Sequence, residues 1–146
     1  MTQAERERRH EQRLAQINDV QVVRGRGDGS RIDHEATLLE RARMLSLEMS
    51  SHHATELGLA AFDRLLCSVE QGGAQQGQLA QFIDALWNRK PLPLALLRGL
   101  EPGTGDDVMA VLDAWRHARV DVALQVRGGP RRVARAMAGA APAHKP

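Results

Sequence analysis

No tyrosine occurs among the 146 residues, and the only aromatic side chains are Phe62, Phe82, Trp87 and Trp115. A core with so few rings must draw its area from leucine, valine and methionine, at about 25 cal/mol per Å² of apolar surface buried. The lone cysteine, Cys67, excludes an intrachain disulfide and an all-cysteine metal site. Its helical spacing from Phe62, Leu65, Leu66 and Val69 predicts a small buried hydrophobe rather than a reactive thiol. No apolar run approaches the ~18 residues needed to cross a membrane. The chain is charged from Glu5 onward with no apolar stretch before it, so no secretory signal is expected and the location expected is cytoplasmic.

Reactive motifs are missing as well. There is no GxSxG, no HExxH and no glycine loop ending in Gly-Lys-Ser/Thr, and Cys67 has no motif-placed histidine. The nearest metal constellation is His52, His53 and Glu56, with His34 in reach. Adjacent histidines cannot share one helical face, so metal binding is not expected. Asp106 and Asp107 could form an acid–base pair, but a helix-cap role accounts for them more simply. The expectation is a chain that is not an enzyme, with no cofactor and no metal.

What is present is helical patterning and uneven charge. The net charge is +2, divided into +2 over residues 1–32, −6 over 33–115 and +6 over 116–146. An acidic middle thus lies between basic ends. Eighteen of the twenty bases are arginine, alongside abundant alanine and glycine, and GC-rich codon usage explains all three more economically than phosphate binding.

Residues 2–17 favour helix by composition but carry almost no apolar face, which predicts a frayed helix or disordered arm. Alternating glycines over 24–30 predict a flexible linker, despite the Arg26-Gly27-Asp28 tripeptide. A first helix is expected from Asp33, as N-cap, to Met49, with Leu38, Ala42, Leu45 and Met49 as its stripe and Leu39 widening it. Ser50 and Ser51 predict a break, and a second helix runs to Val69 on Gly58, Ala61, Phe62, Leu65 and Leu66. Leu79, Phe82, Ile83, Leu86 and Trp87 mark a third helix, which stops before Pro91 and Pro93. Leucines over 92–100 predict a single helical turn or packed loop. Thr104 and Asp107 resemble a capping box for a fourth helix on Val108, Val111, Leu112 and Trp115. Residues 120–126 read as a short helix or extended packing segment, 131–138 as a basic helical turn, and 140–146 as a tail.

The fold expected is therefore all-α: a compact bundle of four main helices over 33–126, with a charged arm and linker at 1–32 and a basic flexible tail at 127–146. Two surfaces are candidates for binding. An apolar patch at Trp87, Leu92, Leu94 and Leu97 suits a protein partner or a second copy of the chain. A basic cluster at Arg127, Arg131, Arg132 and Arg135 could neutralise phosphates as a nucleic-acid accessory factor. No aromatic residues are interleaved with it for base stacking, so a solvated tail is the simpler reading.

One resemblance goes further. Arg64-Leu65-Leu66, Gly77 leading into Ala80, Phe82 and Ala85-Leu86-Trp87-Asn88, and Asp107, Met109, Val111 and Leu112 together resemble a small bacterial domain family of unknown function. That family is found in plasmid-related and integrative-element proteins. The resemblance spans 62–126 and implies an association with mobile elements, with no activity to carry over. The family's Trp-Asn pair leads into a Gly-Gly-Phe-Asp-Leu type of segment, whereas this chain has Arg89-Lys90-Pro91-Leu92-Pro93-Leu94.

Overall fold

The computed structural model describes residues 1–138. In chain order these form α1 (Gln3–Ile17), β1 (Val23–Arg24), β2 (Arg31–Ile32), α2 (His34–Glu70), α3 (Gln76–Asn88), α4 (Ala95–Arg98), α5 (Pro102–His117), α6 (Val122–Gln125) and α7 (Gly129–Ala138). The class is all-α, as the patterning predicts. The tail at 140–146 lies outside the described residues. The chain divides into two compact units, Met1–His53 and the remainder from Ala54, with α2 running through the boundary.

In the first unit, α1 begins with a capping box. The Glu5 amide donates to the Thr2 hydroxyl and the Thr2 amide to the Glu5 carboxylate. This reciprocal cap ties down donors that a bare helix end would leave to water, and Gln3–Ile17 form a helix where a frayed helix or disordered arm is expected. The expected linker is a tight ribbon, with Val23 opposite Ile32 and Arg24 opposite Arg31 around a glycine turn. Gly25 has φ +95°, a conformation that L side chains rarely adopt. Asp33 caps α2 as expected, accepting from the Ala36 amide at 2.9 Å, and pairs with Arg24 Nε at 2.7 Å. Both bonds favour the carboxylate and hold the Asp33 pKa below its usual value.

The predicted break at Ser50 and Ser51 does not occur, for α2 is one helix of 37 residues. Serine in a helix interior costs only about 0.5 kcal/mol relative to alanine, too little to end a helix anchored on both sides. The shift in apolar phase that suggested two helices marks a change of buried face within one. In the first half, Thr37 and Glu48 are buried while Leu38, Leu39, Leu45 and Met49 are 66%, 67%, 41% and 55% exposed. The stripe expected to face a core therefore faces outward.

The second unit holds the core. Phe62, Leu65 and Leu66 from α2, Leu79, Phe82 and Ile83 from α3, Val108 and Val111 from α5, and Val133 from α7 are almost wholly enclosed. Gly58 lets α2 and α5 meet, since a Cβ there would overlap Ala114 Cβ and sit 3.0 Å from the Ala110 carbonyl oxygen. Two expectations change. Helix α5 starts at Pro102, with Glu101 as N-cap and no side-chain cap, so Thr104 and Asp107 form no capping box. Proline at the first turn serves instead, its missing amide being one the helix could not have bonded. Asp107 pairs with Arg64 across the unit at 2.8 Å. Residues 129–138 are also more than a basic turn: α7 buries Val133 and Ala136 and packs on α3 and α6.

Candidate binding site

Helix α3 ends, as α5 does at Ala118, in a left-handed residue other than glycine. Arg89 occupies its C-cap with φ 54°, a left-handed conformation in which glycine is far commoner, and its amide and that of Lys90 both return to the Ala85 carbonyl. Pro91 then prevents continuation. The chain turns sharply and carries Leu92 back over the bundle, opening a cavity of about 380 Å³ lined by Phe82, Ala85, Leu86, Arg89, Lys90, Leu92, Leu112 and Trp115. Six of these eight residues are apolar and two are cations, a composition that suits an apolar ligand group held beside a negative charge.

The two cations differ. The Lys90 ammonium lies 2.9 Å from Asp84, whose second oxygen accepts from Asn88. These bonds hold Asp84 below the usual carboxylate range, Lys90 contributing most. Arg89 makes no side-chain hydrogen bond or ion pair among the described residues. It also lines an adjoining cleft of about 180 Å³ with Leu86, Trp87, Trp115, Asp121, Val122 and Leu124. There the Asp121 carboxylate caps α6 by accepting from the amides of Ala123 and Leu124.

Of the expected patch, Leu92 lines the cavity, Trp87 lines the adjoining cleft, and both pack with Leu97 against the core from partly buried positions. Leu94 is 79% exposed. The neighbouring Leu96 turns inward and is 8% exposed, because the single turn of α4 places it on the opposite side. The patch thus separates into a wall and an exposed tip. Sequence reading missed Trp115 as a site residue. The core face of α5 is centred on Val111 with Ala114, leaving Trp115 57% exposed at its edge and lining both hollows. It missed Arg89 too, whose signal was available: a helix stop two residues before proline with no glycine to supply the left-handed turn.

The four basic-cluster arginines do not act together. Arg127, Arg131 and Arg135 are exposed. Arg132 reaches back to α2, where it bonds Asp63, Glu70 at 2.6 Å and the Arg127 carbonyl at 2.9 Å, with Cys67 Sγ 3.3 Å away. Burial pulls the Arg132 pKa down, but the hydrogen bonds and charges of Asp63 and Glu70 outweigh it and leave the group above its usual value. Cys67 is half-buried in this contact rather than enclosed.

His34 and His53 are exposed, whereas His10 and His52 are partly buried in the first unit. His52 stacks on His10 with centroids 3.9 Å apart, and His10 Nδ1 lies 2.9 Å from the buried Glu48 carboxylate. Stacked parallel rings do not converge on a common ion, and no group of three or more His, Cys, Asp or Glu among the described residues could hold a metal. No helix among them is long and apolar enough to cross a membrane.

Comparison with curated proteins and with solved structures finds no match. Residues 59–141, more than half of the chain and nearly all of the unit that forms the cavity, match the family of unknown function DUF7673, and the chain belongs to that family.

Proposed function

We propose that this chain is a non-enzymatic protein-interaction module, and that its partner inserts an apolar side chain with an adjacent carboxylate into the cavity beneath Leu92 and Trp115. The observation that carries this reading is an apolar cavity of about 380 Å³ whose lining includes Arg89, a cation with no side-chain hydrogen bond or ion pair among the described residues. The apolar wall supplies affinity by burial, and the cation selects by charge. Left-handed backbone at a non-glycine residue costs on the order of 1 kcal/mol and persists where the surroundings fix it, often at binding sites.

A cytoplasmic setting among bacterial mobile elements belongs to the same proposal. It is supported by the resemblance carried by the Arg64-Leu65-Leu66 and Ala85-Leu86-Trp87-Asn88 segments. Recurrence of plasmid or integrative-element genes beside members of the family would support it, and scattered chromosomal neighbours would count against it.

The docking reading is tested by affinity capture with the wild-type chain, Trp115→Asp and Arg89→Gly. Trp115 is exposed and glycine suits the left-handed turn, so both variants should fold, as circular dichroism will check. The expected result is a partner retained by wild type, lost by Trp115→Asp and weakened by Arg89→Gly. Identical capture by all three proteins would refute the cavity as the docking site.

A further inference from the structure

The first half of α2 presents Leu38, Ala42, Leu45 and Met49 in spacings of four, three and four residues, the alternation of a coiled-coil seam. All four are exposed, and Leu39 widens the same face. A helix that buries a different side through Thr37 and Glu48, about 100° round from the stripe, has no structural need for a second apolar stripe. The exposed side chains make a patch on the order of 400 Å², the size at which a monomer's largest patch is often an interaction site. The geometry points to a second copy of this chain as the occupant, packed antiparallel along α2 about a two-fold axis between Ala42 and Leu45.

Three observations select that arrangement. A seam spaced for knobs-into-holes packing fits an identical seam without any other partner's chemistry. Antiparallel alignment sets the small Ala42 against the larger Leu45 of the second copy, and Leu38 against its Met49. Parallel alignment would place Ala42 against itself and leave a gap between leucine layers, which a core fills poorly. Beside Leu38 there is also a hollow of about 290 Å³, lined by Gln21, Ile32, His34, Thr37, Leu38 and Arg41. An antiparallel copy brings its flexible Met49 to that hollow, and the two-fold axis fills both hollows at once. The paired stripes bury on the order of 800–1,000 Å² in total, at the weak end of specific interfaces. A dimer that dissociates on dilution is the consequence.

Light scattering on the full chain tests this. At roughly 100 µM the expected mass approaches twice 16.1 kDa, falling toward one copy at low micromolar concentration. Ala42→Glu places a good helix former at an exposed position, so it should fold as the wild type does and remain a monomer at the same concentration. Trp115→Asp, on the other unit, should leave the dimer intact. Orientation follows from cross-linking in a Cys67→Ser background: a mixture of Leu38→Cys and Met49→Cys chains should join to each other. A wild-type monomer at roughly 100 µM overturns the proposal, as does a dimer unaffected by Ala42→Glu. Efficient joining of Met49→Cys chains to themselves overturns the antiparallel arrangement.

Discussion

At the scale of single residues, charge placement in the second unit is decided by who lies nearby rather than by how many arginines a segment contains. Arg132 belongs by sequence to a run of bases, yet it is the one that bridges α7 to α2 through Asp63 and Glu70. Its side chain is only 16% exposed while those of its partners are 48% and 38% exposed. Solvent screening at the carboxylates limits the pair energies, so Arg132→Ala should destabilise the chain by about 1–2 kcal/mol. Arg131→Ala and Arg135→Ala, at exposed positions, should change stability by less than about 0.5 kcal/mol. Thermal unfolding of the three variants checks the contrast. Equal shifts would mean that the Arg132 contact contributes nothing to stability. Sequence could list these arginines but could not rank them, because the ranking depends on carboxylates 62 and 69 residues away.

At the scale of elements, α2 carries the clearest lesson. Its periodic apolar positions were legible, and so was the cap at Asp33, since both are set by local geometry. Whether a stripe faces inward was not legible, because period fixes only which residues share a face. Leu38 and Leu45 share a face as predicted, and that face is exposed. Farther along, Gly58 reads as a mild helix weakness by propensity, yet it is the contact point with α5. By propensity alone Gly58→Ala would stabilise α2 by up to about 1 kcal/mol. The overlap with Ala114 reverses the sign, and overpacking of this kind costs about 1–3 kcal/mol. Chemical denaturation of Gly58→Ala should therefore show a loss, and a gain would contradict the close approach of these helices. The cavity has the same origin. Pro91 fixed where α3 stops, but only the return of Leu92 over Phe82 and Leu112 made a hollow there.

At the scale of the whole molecule, the two units are unequal in what holds them. The connected hydrophobic core draws all of its members from residues 59–136. In the first unit only Ile17, Thr37 and Glu48 are buried, and its polar contacts include the capping box, the Asp33 cap and the His10–Glu48 bond. Local opening follows where buried apolar contacts are few. Native-state hydrogen exchange should accordingly show the slowest amides in α2 beyond Leu59, in α3 and in α5, with α1 and the ribbon exchanging faster by at least tenfold. Uniform protection across residues 3–117 would show that polar contacts hold the first unit as firmly as burial holds the second.

The sequence alone determined the helical class, the stop of α3 ahead of Pro91 and most of the residues that form the core of the second unit. Those follow from 3.6-residue periodicity, from proline's missing amide and from the scarcity of aromatic rings, all of which act over a few neighbouring positions. The tertiary structure alone decided that the 38–49 stripe lies outside, that Arg132 is committed while Arg89 is not, and that Trp115 lines a cavity instead of filling the core. Each of these depends on groups distant in the chain meeting in space, where burial and pairing are settled by packing and no local pattern carries the answer.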